Sequence, residues 1–323
     1  MLSIKAGKQI ILNVRREDSG IRLDVFLTKK TGISRSAASR LVSEEKVTVD
    51  SIFRKPAFAV TNGMRVVCER EEEKTSELVP WETELNVLYD DESLIVINKP
   101  AGLVVHPGAG NSEKTLVHAL LARYPQMANV GSSQRPGIVH RLDKLTSGVI
   151  VIAKSHQAYV RLSEAFKEHS HKRVYICICF GMMPKNSGRF ETLINRNPVD
   201  RKKMTSKTKS GRPAITNWEV MKSWPGFSML KLSLETGRTH QIRVHLSDSG
   251  HPIVGDAEYG GKGRAAIIAN TSMRAYVKRL DRQMLHAHIL GINHPGTGEY
   301  MEFISQLPED IMLLKEELDR NYS

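Results

Sequence analysis

Between Glu71 and Glu82 the chain runs through a charged stretch, interrupted by Pro80, that has no apolar period. Such a stretch has no face to bury, so it separates folding units. At 323 residues the chain has room for two domains of roughly 100–200 residues each. We expect a first domain over residues 1–75, a linker over 76–85 and a second domain over 86–323. Hydrophobic residues make up 40% of the chain, enough for a sizeable core in the larger part.

Charge divides along the same line. Residues 1–70 hold 14 Lys and Arg against 7 Asp and Glu, which places over half of the +12 net charge in under a quarter of the length. A strongly basic chain points to a polyanionic partner, a nucleic acid or an anionic membrane surface. No segment offers the ~18 consecutive apolar residues of a membrane span. Met1–Lys8 lacks an apolar signal core. Cys68, Cys177 and Cys179 are odd in number and scattered, which fits a reducing cytoplasm better than a disulfide framework. We expect a cytoplasmic protein, with no membrane partner, that works as a monomer.

Leu23, Phe26 and Leu27 have helical spacing, and Ser34 can N-cap a second helix through Ala37, Ala38, Leu41 and Val42. Lys46–Asp50 and Arg65–Cys68 alternate as short strands. The first domain therefore reads as a compact α+β unit. In the second, strands are predicted at 92–98, 148–153, 174–180, 227–234 and 300–304. Helices fall at 115–122, 156–169 and 239–249. Elements mixed in this way predict an α+β fold with a mixed or antiparallel sheet.

Chemistry concentrates in three places. In Gly137–Gly148, apolar runs flank a turn holding His140, Arg141, Asp143, Lys144, Thr146 and Ser147. A carboxylate on a loop between buried strands is rigid and reachable, open to service as nucleophile, general base or metal ligand. Arg-Leu-Asp alone proves nothing, because Arg22-Leu23-Asp24 repeats it at an ordinary helix start. The second place is Glu235–Leu246. Gly237 permits a sharp turn, Thr239 can cap the following helix, and His240 and Arg243 share a helical face. Arg243 is a natural partner for an active-site carboxylate; the bland reading is a solvated polar face. The third is the basic run Arg201–Arg212, including Lys203 and without an acid, which reads as a flexible loop tracking phosphates. His286 and His288 make a poor metal site without a third ligand, and Cys177 and Cys179 read as core. Lys99-Pro100-Ala101-Gly102 and His106-Pro107-Gly108 are turn chemistry, and no Gly-rich nucleotide fingerprint is present.

Taken in order, these segments resemble the RluA/RluD family of RNA pseudouridine synthases. His140-Arg141-Leu142-Asp143-Lys144 with Thr146-Ser147-Gly148 resembles the family's catalytic motif. Lys99–Pro107 resembles its upstream motif, and Lys172-Arg173-Val174-Tyr175 the segment bearing the active-site Tyr. Gly237–His245, with Gly255-Asp256 and Tyr259-Gly260, resembles the last. Arg22-Leu23-Asp24, Ser34-Arg35-Ser36, Arg40-Leu41 and Val47-Thr48-Val49 resemble an S4 RNA-binding domain. That family usually has Gly where Glu45 stands and Asn-Gly where Asp50-Ser51 stand.

The resemblance implies an isomerase that flips a uridine out of structured RNA and needs no cofactor or metal. Asp143 would act at the glycosidic carbon, Tyr175 would lie under the uracil and serve as base on C5, and Arg243 would pair with Asp143. Arg141 would fill the gap in the base stack. His140, Arg35, Arg40, Arg201, Lys203 and Arg238 would contact RNA. Large-subunit (23S) ribosomal RNA, free or in a pre-50S particle, is the expected substrate, with tRNA the alternative. Two other classes stand beside it: a non-catalytic RNA-binding or assembly protein, and a hydrolase using Asp143. The hydrolase needs a second acid or base beside Asp143, and neither the catalytic motif nor the following helix supplies an evident acid.

Overall fold

The computed structural model describes residues 8–33, 35–70, 78–108 and 110–322. The chain divides into two compact units, Met1–Glu77 and Leu78–Ser323.

The first unit contains β1 (Lys8–Asn13), α1 (Leu23–Thr31), α2 (Arg35–Ser43), β2 (Val47–Val49), β3 (Ile52–Phe53) and β4 (Arg65–Arg70), with sheet order β1-β4-β2-β3. Leu23, Phe26 and Leu27 fill its core together with Val47, Val49 and Val66. The helix starts at Leu23 because Arg22 is extended and forms its N-cap. Ser34, expected to cap α2, lies outside the described residues. The strands β1 and β3 are additional to the expected helix–helix–strand–strand order. Glu45, Asp50 and Ser51 all take positive φ, at 57°, 49° and 66°. An L-residue in that region costs roughly 1–2 kcal/mol. Asp50 and Ser51 form the two-residue turn between β2 and β3, where left-handed backbone matches the twist of the strands.

The second unit begins with β5 (Val87–Asp90), β6 (Leu94–Lys99), α3 (Leu116–Arg123) and a small hairpin, β7 (Gly131–Ser132) and β8 (Arg135–Pro136). It continues through β9 (Ser147–Ala153), α4 (His156–Glu168), β10 (Lys172–Phe180), β11 (Ser187–Arg196), β12 (Met204–Thr205), β13 (Arg212–Trp224) and β14 (Phe227–Leu234). It ends with α5 (Gln241–Asp248), α6 (Gly261–Arg264), α7 (Thr271–Lys278), β15 (Leu285–Asn293), β16 (Tyr300–Ile304) and α8 (Glu309–Tyr322). Among the described residues the main sheet has ten strands in the order β12-β11-β13-β14-β10-β15-β9-β6-β5, with β16 also on β15. Pairing is antiparallel except between β15 and β9. The fold is α+β with a mixed sheet, as expected. Cores of buried aliphatic residues sit around β6 and β9 and around β10 and β14.

The expected linker is shorter than 76–85. Leu78 and Trp81 pack on the core around β6 and β9, Leu85 is buried there, and the Trp81 N–H donates to the His118 carbonyl at 3.0 Å. Three apolar side chains scattered among charges show no period, yet they suffice to tie this segment down. Residues 76 and 77 lie outside the described residues.

The basic run is also more ordered than expected. Met204–Thr205 pairs with Asn195 and Arg196, and Ser206 bonds the Asp248 carboxylate through both N–H and hydroxyl, at 3.0 and 2.6 Å.

Candidate active site

The turn holding Asp143 feeds into β9, and Gly148 makes that entry possible. At φ 115°, a Cβ there would lie 2.1 Å from the Ala287 carbonyl oxygen, so only glycine lets β9 approach β15. The loop is braced from below by Lys99. Its side chain is fully buried, and Nζ donates to the carbonyls of Pro100, Leu103 and Lys144 at 2.8, 2.9 and 3.2 Å. Burial pushes this amine down to about 7, against the field of Asp143. The three carbonyls match the three N–H groups that only the ammonium carries.

His140 braces the loop from above. Its Nε2 accepts from the Val151 N–H at 3.0 Å, and its ring stacks on Phe166 with centroids 4.4 Å apart. Burial, with Arg173 and His171 adding to it, holds the imidazole down at about 3, so it is neutral. The nitrogen facing β9 is committed to holding the turn on the sheet, while the half-buried ring also lines the cavity.

Asp143 meets its partner from α5. Arg243 Nη1 donates to Asp143 Oδ2 at 3.2 Å. The same guanidinium forks onto Asp256, with Nε to Oδ2 at 2.7 Å and Nη2 to Oδ1 at 2.9 Å, and Nη2 also reaches Glu258 at 2.6 Å. Asp256 is fully buried and accepts from the Glu258 and Tyr259 N–H groups as well. Burial works against the Arg243 charge, but the bonds and charges of Asp256, Asp143 and Glu258 outweigh it and raise its pKa. The solvated-face reading of this helix is therefore set aside, since Arg243 is 4% exposed. The helix starts at Gln241, and His240, not Thr239, occupies the N-cap in left-handed backbone at φ 55°. Gln241 holds the preceding turn, accepting from Thr236 Oγ1 and the Arg238 N–H while donating to the Ile215 carbonyl. That geometry turns His240 toward Asp143, 3.7 Å from Oδ1, with Nδ1 2.8 Å from the Tyr259 hydroxyl.

Asp143, Tyr175, Arg141, Arg238 and Arg243 line one cavity of about 480 Å³, together with Phe166, Arg173 and Leu234. That volume suits a small-molecule-sized group. A second cavity of about 590 Å³ shares Arg141, Asp143, His240 and Arg243 and adds His106, Asn111 and Arg196. Tyr175 stands on β10 opposite Ala287 and Leu232, beside a bulge at Val174. Burial raises its phenol pKa; Arg173 opposes that and Asp143 adds to it. Arg238 spends its Nε on the Pro213 carbonyl at 2.9 Å. Arg201 is exposed, and Lys203 lies 3.5 Å from Asp200. In the first unit, Arg40 is exposed and Arg35 bonds Asp24 at 3.2 Å.

Glu258 is the residue that sequence reasoning missed. It supplies the second acid near Asp143 that the motif and the helix lack, reaching Arg243 across 15 positions. Nothing in its local pattern marks it; only its place two residues after Asp256 does. His286 and His288 both bond the Ser305 carbonyl, at 3.2 and 2.7 Å. Among the described residues no cluster of three metal-ligating side chains occurs, and no helix is long and apolar enough to cross a membrane.

The mixed sheet brings an Asp–Arg pair and the half-buried Tyr175 into one cavity. The family model described as RNA pseudouridylate synthase matches residues 93–248, which include Asp143, Tyr175 and Arg243. The chain is 40% identical to the ribosomal large subunit pseudouridine synthase D of Pseudomonas aeruginosa, over 87% of this chain and 86% of that one. It is likewise 40% identical to the protein of that name from Vibrio vulnificus, over 98% and 97%. The solved structure of human RNA pseudouridylate synthase domain containing 4 superposes with a TM-score of 0.55 at 25% identity, covering 72% of this chain and 93% of that one. The chain belongs to the RluA/RluD family of RNA pseudouridine synthases.

Proposed function

We propose that this protein isomerises uridines to pseudouridines in large-subunit ribosomal RNA, free or within a pre-50S particle. The observation that carries the reading is the Asp143–Arg243 contact at 3.2 Å in the cavity that also holds Tyr175. The ribosomal names of the relatives at 40% identity favour ribosomal RNA over tRNA.

The target uridine is flipped from its stack at a cost of a few kcal/mol. Arg141, exposed at the mouth, fills the gap it leaves. Asp143 acts at C1′ of the ribose. The N1–C1′ bond breaks, the uracil turns, and C5–C1′ forms. The C5 proton leaves and N1 gains one, so the product is an isomer and no redox partner or cofactor is consumed. Arg243, anchored by Asp256, aims the Asp143 carboxylate. Tyr175 lies against the uracil and takes the C5 proton. Arg201, Lys203 and Arg238 track phosphates, and the first unit serves as an S4-like RNA-binding domain through Arg35 and Arg40. The protein acts as a monomer in the cytoplasm, where its three cysteines stay reduced.

The test is tritium release from RNA labelled at uridine C5, since forming C5–C1′ expels that label to water. Wild type should release it from ribosomal RNA, and Asp143→Ala should not while still binding, because phosphate contacts dominate affinity. Release by Asp143→Ala at the wild-type rate would remove Asp143 from the reaction. Release from tRNA alone would replace the substrate class.

A further inference from the structure

Arg173 enters the cavity from β10 two residues before Tyr175 and is 9% exposed. Among the described residues no acceptor meets its Nε or Nη2. Those two atoms form one edge of the guanidinium. Arg22, Arg243 and Arg282 each present the same edge to a carboxylate, on Asp24, Asp256 and Asp310. The carboxylate that lines this cavity, Asp143, is bonded to Arg243, and the other charged side chains around Arg173 are cationic. Arg238, Lys167 and Arg141 line the same cavity. His169 and His171 lie beside it, both held below the usual histidine range by burial and then by Arg173. A buried cation with no answering anion is costly, so its retention needs a reason.

Gly237 supplies a second, independent observation. A Cβ there would lie 2.4 Å from Arg173 Nη1, so glycine leaves the room in which the guanidinium sits. An edge with two parallel N–H groups matches a two-oxygen anion, whereas a uracil carbonyl offers one neutral oxygen.

We propose that Arg173 binds a phosphodiester group of the RNA next to the target nucleotide, making an anion subsite within the cavity. This rests on RNA being the substrate, as proposed above. The subsite holds the flipped nucleotide by its backbone while Asp143 works on the sugar.

The experiment measures binding of transcribed large-subunit ribosomal RNA to full-length wild type, Arg173→Met and Arg173→Lys across a salt series, with tritium release in parallel. One phosphate contact contributes about 0.7–0.9 to the slope of log affinity against log salt. Arg173→Met should lose that much slope and raise KM on the order of 10-fold, by more than kcat falls. Arg173→Lys should keep most of the slope, because a phosphate accepts a point charge. The free Arg173→Met protein should melt no lower than wild type, since it loses an unpaired buried cation. A full slope in Arg173→Met, with kcat collapsing instead, would overturn the subsite and put the guanidinium on the base. A lowered melting point would make Arg173 a structural residue and overturn it too. Wild type that binds no RNA would overturn the functional reading itself, and this site with it.

Discussion

Arg243 gives Asp256 a two-pronged grip at 2.7 and 2.9 Å and gives Asp143 a single bond at 3.2 Å. The fork onto a fully buried carboxylate fixes the guanidinium, and the looser third contact aims Asp143 without immobilising it. Asp256 is thus a positioning residue for the proposed chemistry, and Arg243 is held whether or not substrate is bound.

Arg243→Lys should lower kcat by at least ~10²-fold with RNA affinity within ~3-fold, because an ammonium cannot reproduce a planar fork. Asp256→Asn should destabilise the second unit by about 3 kcal/mol, as breaking one side of a buried pair does. Denaturant titration beside single-turnover tritium release checks both. Wild-type kcat in Arg243→Lys would show that the fork is not needed for aiming.

Tyr175 as acceptor of the C5 proton has a pH signature. Burial raises its phenol pKa, so at neutral pH the phenol is protonated and only the small deprotonated fraction can act as base. That fraction grows about tenfold per pH unit below the pKa. Single-turnover label release should therefore climb between pH 7 and 9 in wild type, and Tyr175→Phe should release on the order of 10³-fold more slowly with no such climb. A flat wild-type profile would assign the proton to another group.

Lys99 never meets the cavity floor directly, yet it holds the carbonyl of Lys144, the residue next to Asp143. Lys99→Met leaves three carbonyls without their donor, at about 1–3 kcal/mol for each one left unsatisfied. We expect a loss of about 3 kcal/mol in the unfolding free energy of the second unit, followed by denaturant. Tritium release should fall by at least ~10-fold at saturating RNA, since the Asp143 turn loses its brace. Unchanged stability would mean that water replaces the amine.

In the first unit, Glu45 and Ser51 sit in left-handed backbone where glycine carries no penalty. Glu45→Gly and Ser51→Gly should each stabilise that unit by ~0.5–1 kcal/mol. Asp50 differs, because its carboxylate accepts from the Arg65 N–H at 2.8 Å, and Asp50→Gly should gain less. Thermal melting of the full chain and the three variants measures this. A drop in the melting point of Ser51→Gly would show that the turn is not strained.

Local pattern made much of the fold legible. Buried strands announce themselves as continuous apolar runs, so β9, β10 and β14 fall where the sequence predicts them. The tie-down of residues 78–85, the anchoring of β12 and the reach of Glu258 were hidden, because each depends on a partner far along the chain and on no local period.

The two Arg-Leu-Asp tripeptides draw the line most clearly. At Arg22-Leu23-Asp24 the arginine forks onto its own neighbour, both bonds at 3.0 Å, and that pairing pulls the Asp24 carboxyl down to about 2. At Arg141-Leu142-Asp143 the aspartate takes its bond from Arg243, 100 positions away, and Arg141 is left exposed at the cavity mouth. By itself the sequence determined the elements, the basic balance and the ordered motifs, because these depend on residue type and spacing along the chain. Which of two identical tripeptides lines a cavity and which merely starts a helix was decided by tertiary structure. An ion pair forms wherever the fold brings a guanidinium within reach, and only the packed sheet sets Arg243 beside Asp143.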